Sequence, residues 1–210
     1  STLTTFSVPE IAADLGEPFS TAKVAYVDDI LVSVTICKGE LERHKHVDVD
    51  ELFWVYEGGV RIDSERGAVH LDPGELTVVP KGTEHRSAST DRAVVMLLRC
   101  GFMPNRKNGK RRLYAADDSE LSSLNVRDKA DALVAPFRFR TITQVEDSMI
   151  QVARGSGRWP VELPVVHDRM FYVVDGALAV RTVRDRVRLR PGDLTVIPRG
   201  AFYHLHTAEN

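Results

Sequence analysis

Two halves of this 210-residue chain align without a gap at a constant offset of 118 residues, as from Gly39 to Gly157. Pro18-Phe19 falls on Pro136-Phe137, Asp29 on Asp147, Asp50 on Asp168, Phe53 on Phe171, Val55 on Val173 and Gly58 on Gly176. The densest match sets Pro73-Gly74-Glu75-Leu76-Thr77-Val78-Val79-Pro80-Lys81-Gly82 on Pro191-Gly192-Asp193-Leu194-Thr195-Val196-Ile197-Pro198-Arg199-Gly200. Self-similarity on this scale means that one structural unit is used twice. Any fold for the chain has to be built from two copies of one domain.

Within each copy the segments are short, rich in β-branched and aromatic residues, and parted by turn residues, a pattern that predicts an all-β barrel or sandwich. Strands are expected at 23–27, 30–37, 43–47, 51–57, 60–64, 67–71, 76–80, 84–89 and 93–100. Glu57-Gly58-Gly59 and Asp175-Gly176 read as hairpin turns in which glycine supplies positive φ. Pro73-Gly74 and Pro191-Gly192 read as turns in which proline presets φ ahead of a glycine.

These signals divide the chain into an N-terminal domain at 1–102, a linker at 103–134 and a C-terminal domain at 135–210. Met103 to Arg112 is polar and breaker-rich, hence a solvated charged loop. Residues 115–131 hold few β-formers, and Asp117, Asp118 and Ser119 offer caps, so the linker is expected to be partly helical. The first copy runs on into the apolar strand Ala93 to Cys100, which has no counterpart in the second. The edge so left is expected to be covered by the arm Leu3 to Phe6 or by a partner chain, or the sequence is truncated there.

His44 and His46 stand one residue apart, Glu51 follows five residues later, and His85 comes after the Pro80-Lys81-Gly82 turn. On a strand, alternate side chains share a face, which places His44 and His46 about 7 Å apart at Cα. Neutral imidazoles and a carboxylate suit divalent first-row metals, and a four-residue set leaves room for water or substrate on a six-coordinate ion. Mn, Fe, Co, Ni, Cu and Zn all accept such a set. His70 lies outside these groups and reads as a surface residue.

The second copy tests this internally. At the same offset His44 becomes Glu162, His46 becomes Pro164, Glu51 becomes Arg169 and His85 becomes Tyr203. An arginine at the carboxylate position repels a cation, so the second copy reads as structural or as a dimerisation module. A sharper alternative has Arg169 and Tyr203 bind a small anion inside an emptied barrel. His167, Asp168, His204 and His206 sit near these positions, but only Tyr203 has the ligand parity.

Gly39, His44, His46, Glu51 and Gly58 resemble the first motif of the cupins, and Gly74, Pro80, Gly82 and His85 resemble the second. Four residues rather than five separate Gly39 from His44, and Ser89 stands where the family often has Asn. Counting the degenerate second copy, the chain resembles a bicupin. The resemblance implies two tandem jelly-roll (double-stranded β-helix) barrels, with one metal held by three His and one Glu at the mouth of the first. It does not choose a reaction, because functions are grafted onto folds.

Alternation places Phe53 and Val55 on the face of Glu51, and Ser87 and Ser89 on that of His85. From the strand 94–99, either Met96 and Leu98 or Val95, Leu97 and Arg99 join the cavity wall. Trp54 and Tyr56 are expected to face away. The function that follows is a metal-dependent enzyme acting on a small oxygenated organic molecule, by dioxygenase, isomerase or lyase type chemistry. Glu51 is the one candidate general base, by leaving the metal. The alternative is a metal-containing binding or sensor protein without turnover.

A formal charge of −2 removes the electrostatic argument for nucleic acid. No apolar run approaches a membrane span, and no signal peptide opens the chain. Two cysteines, Cys37 and Cys100, are too few for a disulfide framework, which points to a reducing compartment and a cytoplasmic location. The absence of an initiator Met is expected from a processed N-terminus. The partners expected are a small molecule and a second copy of the chain in a homodimer, with neither nucleic acid nor membrane.

Overall fold

The computed structural model describes residues 2–101, 119–159 and 166–208. In the first half β1 (Thr5–Ser7) leads into α1 (Val8–Ala13). There follow β2 (Thr21–Val27), β3 (Ile30–Glu40), β4 (Glu51–Glu57), β5 (Val60–Ser64), β6 (Gly67–Leu71), β7 (Glu75–Val79) and β8 (His85–Cys100). The second half repeats the order with β9 (Leu124–Asn125), α2 (Val126–Asp131), β10 (Arg140–Val145) and β11 (Ser148–Val152). It closes with β12 (Arg169–Tyr172), β13 (Leu178–Thr182), β14 (Arg186–Leu189), β15 (Asp193–Ile197) and β16 (Tyr203–His206). Among the described residues no helix is long and apolar enough to cross a membrane.

The repeat read from sequence is repeated in the backbone. Positive φ recurs at Phe19 and Phe137, Asp28 and Glu146, Gly39 and Gly157, Gly58 and Gly176, Gly74 and Gly192, and Gly82 and Gly200, every pair at the same offset. Gly58 cannot be replaced even by alanine without movement, since a Cβ there would sit 2.8 Å from the Arg92 carbonyl. Four of these positions are not glycine, so the left-handed conformation is imposed there by the fold.

The first half, joined by β9 of the second, forms a sheet in the order β2-β3-β8-β4-β7-β9, with β5 also pairing β8 and with β6 on the far side of β5. The strand β8 runs through both faces of this arrangement, where two strands at 84–89 and 93–100 were expected. Its side chains alternate: Ala93 and Val95 enter an inner core with Phe53, Val55, Val60, Ile62 and Leu71. Val94, Met96 and Leu98 enter a second core with Leu52, Trp54 and the apolar side chains of the second half. A strand buried on both faces reads as a continuous apolar run, as here.

That second core is the seam between the copies, and it has pseudo-twofold character. Trp54 meets its own counterpart Tyr172 edge to face, with ring centroids 5.6 Å apart. The strand β1 pairs with β15 of the second copy (Ser7 opposite Asp193), and β9 pairs with β7 of the first (Asn125 opposite Glu75). Two carboxylate latches flank the seam. The Asp50 N–H donates to Glu146 Oε1 at 2.7 Å and the Glu146 N–H returns a bond to Asp50 Oδ2 at 3.0 Å. At the counterpart positions, the Asp28 N–H donates to Asp168 Oδ2 at 2.9 Å and the Asp168 N–H to Asp28 Oδ1 at 3.1 Å. The Lys81 and Arg199 N–H groups add donors to Asp50 and Asp168 respectively. Lys81 Nζ also donates to Glu146 Oε2 at 2.7 Å, fully inside the seam.

Three expectations change. The segment 43–47 is not a strand; within it only His44 makes a bridge, to His85. The helix expected over 115–131 is confined to Val126–Asp131 and capped by Asn125, whose side chain accepts from the Asp128 N–H; Asp117 and Asp118 lie outside the described residues. By offset this helix matches α1 of the first copy. The arm near Leu3 does not lie in the place that corresponds by offset to Ala93–Cys100. It joins β15, whereas that place lies between β11 and β12, which pair only with β10 and β15 respectively among the described strands.

Removing one partner of a buried ion pair leaves the other charge inside, at a cost of about 3–5 kcal/mol. Glu146→Ala should lower unfolding free energy by that amount, read as a reduced urea midpoint. Restoring part of the loss with Lys81→Met in the same chain is expected, because the buried ammonium that faced Glu146 is then gone.

Candidate metal centre

The centre is assembled from three places on the first copy. His85 opens β8, Glu51 opens β4, and His44 and His46 lie in the connection between β3 and β4. That connection is zipped onto β8 and the turn before it. The His44 N–H donates to the His85 carbonyl at 2.9 Å, the His85 N–H donates to the His44 carbonyl at 2.8 Å, and the Gly82 N–H donates to the His46 carbonyl at 2.7 Å. Gly82 turns at φ +78, which glycine adopts without a Cβ penalty. The loop thus needs no strand pairing of its own to aim both rings inward.

The ligand atoms of His44, His46, Glu51 and His85 all lie within 4.8 Å of one another, the one such group of His, Cys, Asp or Glu among the described residues. Ring centroids stand 5.2 Å apart for His44 and His46, 4.6 Å for His44 and His85, and 5.8 Å for His46 and His85. Glu51 Oε2 sits 3.2 Å from Nε2 of both His46 and His85. Ligands about 2.1 Å from one ion in octahedral geometry are about 3 Å apart, so this spacing fits.

The donor set is also prepared for a cation. His44 Nδ1 and His85 Nδ1 each lie 2.9 Å from a backbone carbonyl two residues back, that of Glu42 and of Thr83. A carbonyl only accepts, so Nδ1 carries the proton and Nε2 turns its lone pair to the centre. His46 Nε2 is buried and, although 3.2 Å from Glu51 Oε2, lacks hydrogen-bonding geometry to it. It points instead at the space shared by the four groups. These residues fit a divalent metal.

Burial pushes the Glu51 carboxyl up, but the imidazoles of His46 and His85, each with Nε2 3.2 Å from Oε2, outweigh it and hold the group down to about 2. For His85 burial acts downward and is outweighed by the Glu51 bond and the Thr83 carbonyl, which raise it above its ordinary 6.5. The two shifts have the signs of one coupled pair.

Around the ligands, Phe53 lies 6.0 Å from the His85 ring, edge to face. Of the alternatives for the strand 94–99, the face of Val95, Leu97 and Arg99 is the one turned to the centre: Val95 and Leu97 line the inner core with Phe53, and Arg99 Nη1 is 3.8 Å from Glu51 Oε1. Trp54 faces away as expected, into the seam. Ser89 is not a substrate-facing group, since its hydroxyl donates to the Gly59 and Asp91 carbonyls. Ser87 bonds Cys37. His70 is exposed beside Asp72, 3.3 Å away.

At the counterpart positions, Arg169 Nη1 donates to the Tyr203 hydroxyl, and Tyr203 is buried among Phe171, Val180, Ile197 and Leu205. Phe137, Phe139 and Trp159 pack against this cluster. The Tyr203 hydroxyl thus serves the Arg169 guanidinium as an acceptor beside this cluster. Glu162 and Pro164 lie outside the described residues.

The Nδ1 acceptors were not legible in the sequence, because a backbone carbonyl leaves no side-chain signature. Arg99 carried the signal of parity with Glu51's neighbour strand, which left two faces open.

Metal binding requires the deprotonated ligands, so protons compete with it. Because His85 titrates above 6.5, metal content should fall on dialysis from about pH 8 to about pH 5, beginning above the ordinary histidine range. In metal-free protein the depressed Glu51 carboxyl contributes stability that is complete above 4.5 and lost as pH falls toward about 2. Glu51→Gln should abolish that component of the acid limb in urea titrations across this range.

No family model matches the chain. It is 35% identical over 85 residues to the uncharacterized protein YdbB of Bacillus subtilis, a match covering 40% of this chain and 75% of that one. Among solved structures it is similar to a cupin 2 conserved barrel domain protein from Leptotrichia buccalis. That likeness covers 97% of this chain and 89% of the other at a TM-score of 0.74 and 8% identity. It is also similar to a salicylate 1,2-dioxygenase from Pseudaminobacter salicylatoxidans, over 99% of this chain and 81% of that one, with a TM-score of 0.72 and 13% identity. By its sequence match the chain belongs to the same family as YdbB, and by its structural likeness it has the cupin fold.

Proposed function

We propose that the chain is a bicupin enzyme in which the first copy holds one divalent transition metal and acts on a small oxygenated organic molecule. The observation that carries this is the convergence of His44, His46, Glu51 and His85 within 4.8 Å, with two of the histidines oriented through Nδ1. A bound metal would supply Lewis-acid polarisation of a substrate oxygen and, if it is Fe, Mn or Ni, access to dioxygen chemistry. The salicylate 1,2-dioxygenase neighbour makes a carboxylated phenol a sensible first substrate class to try.

In this proposal the three imidazoles bind the ion, while Phe53, Val95 and Leu97 form an apolar wall that limits water. Arg99, 44% exposed at its side chain and beside Glu51, presents a cation to the mouth and would orient a substrate carboxylate. Glu51 acts first as a ligand. Held down to about 2 by its two histidines, its carboxylate is a weak base until it is displaced from them. The second copy serves as scaffold, and a homodimer and a cytoplasmic location belong to the same proposal.

Protein purified without added metal should contain about one transition metal per chain, and His46→Ala should lose most of it. Unchanged metal content in that variant would defeat the assignment. Oxygen uptake and product analysis with phenols, diketones and small organic acids then test turnover. Tight binding of one of these compounds without any conversion would instead favour a binding or sensor protein. Arg99→Met should weaken binding of carboxylate-bearing compounds by tenfold or more, the equivalent of about 1.5–3 kcal/mol for a lost charged hydrogen bond, at unchanged metal content.

A further inference from the structure

The outward face of β13, β14 and β16 carries side chains of a different character from the matching face of the first copy. Alternation sends Val180, Leu189, Tyr203 and Leu205 into the core of the second copy, with Val187 packed against it. Arg181, Arg186 and Arg188 therefore point outward, and all three are exposed. Arg181 stands opposite Arg186 on one side and opposite His204 on the other. Just beyond the pair of Thr182 and Tyr203 come Val183, 88% exposed, and Phe202, 47% exposed. Arg184, also exposed, follows in the turn between β13 and β14.

By offset, Arg181 corresponds to Asp63, Val183 to Glu65, Arg186 to Ala68, Arg188 to His70, Phe202 to Glu84 and His204 to Arg86. The first copy's face is mixed in sign and paired within itself. Asp63 accepts from Arg61 at 2.7 Å and lies 3.4 Å from Arg86, Arg86 donates to Glu40 at 2.8 Å, and Glu84 lies 3.9 Å from Arg43. In the second copy the carboxylates at positions 63, 65 and 84 give way to one arginine and two exposed apolar side chains. None of Arg181, Arg184, Arg186 and Arg188 has an ion-pair partner among the described residues. Packing does not call for this change, because these side chains belong neither to the second copy's core nor to the seam. Like charges facing each other on neighbouring strands repel, a cost that a bound anion removes. The net charge of −2 conceals the face, since it averages over the whole chain.

We propose that this face docks the chain reversibly on an anionic phospholipid surface. Guanidinium groups match phosphate bidentately, and each arginine near a negatively charged leaflet adds to the attraction. Val183 and Phe202 choose between occupants. A dissolved polyanion, such as a single-stranded nucleic acid, would be held by the arginines and would gain nothing from an exposed valine. At a bilayer both apolar side chains enter the boundary between headgroups and acyl chains, with the arginines left among the phosphates.

Co-sedimentation of the full chain with lipid vesicles tests this. Vesicles of phosphatidylcholine with about one-third phosphatidylglycerol should bind it at least tenfold more tightly than phosphatidylcholine alone, and added salt should weaken that binding. Arg181→Asp together with Arg186→Ala, which gives these positions the first copy's residues, should weaken binding tenfold or more. Phe202→Ser, with every arginine intact, should weaken it severalfold. In the unaltered chain, amide exchange across the turn from Thr182 to Arg186 should slow on the anionic vesicles, a readout that needs no variant. No preference for anionic vesicles, binding unchanged by the paired arginine substitutions, or protection that spares this turn would each overturn the proposal. So would binding that survives Phe202→Ser and is displaced by a thymidine oligonucleotide, since the face would then read phosphate alone.

Discussion

The apolar seam between the two copies is the constraint on which the rest of the structure depends. The sheet containing β3, β8, β4 and β7 is apolar on both faces, since Val32, Val34, Leu52, Trp54, Leu76, Val94 and Met96 are all buried on the side away from the inner core. A sheet of this kind cannot face water and has to be covered by another layer. The second copy supplies that layer. At about 25 cal/mol per Å² of apolar surface, covering such a face is a main source of the stability of the whole. The polar latches at Asp50 and Glu146 and at Asp28 and Asp168 then specify how the layers meet, in a seam where misplaced charges are costly.

This seam also reaches the metal centre. Asp50 in the latch is the neighbour of Glu51 in the donor set, and Lys81, bonded to both Asp50 and Glu146, immediately precedes Gly82, whose N–H holds the His46 carbonyl. The segment that carries the ligands is therefore tied at both ends to the packing between copies. Donor positions set by such hydrogen bonds do not need a metal to be brought together, which accounts for the four groups converging although His44 and His46 lie on a connection between strands.

Much of the fold was legible because period-two alternation and turn residues agree. The strands at 51–57, 60–64 and 67–71 match their predicted bounds, and the repeat offset is reproduced in the positive-φ residues. The failures are physical. The region 43–47 alternates like a strand, yet its pairing partner is a single bridge at His85, and local alternation cannot register the lack of a ladder. The break expected at 90–92 is bridged because β8 serves two layers in one pass. The site was legible as residue types and spacing, not as geometry: the donors meet through the turn at Gly82 and the bridge to His85, rather than through strand parity. Asp50 and Asp168 were visible as an aligned pair, but no signal within one copy says that each reaches across to the other.

The second copy shows which features of the repeat the seam retains. It keeps the positive-φ positions, the β7 and β15 turns and the latch, all of which the seam requires, and it replaces donors that packing does not require. Where the first copy has buried Glu51 and His85, the second has Arg169 and Tyr203, which bond to each other inside a cluster of aromatic rings. A carboxylate with no partner could not stay buried at that position, and an unpaired arginine could not either. The Tyr203 hydroxyl gives the Arg169 guanidinium an acceptor beside the aromatic cluster. Among the described residues the convergent His and Glu donors lie in the first copy, while cohesion is distributed over both.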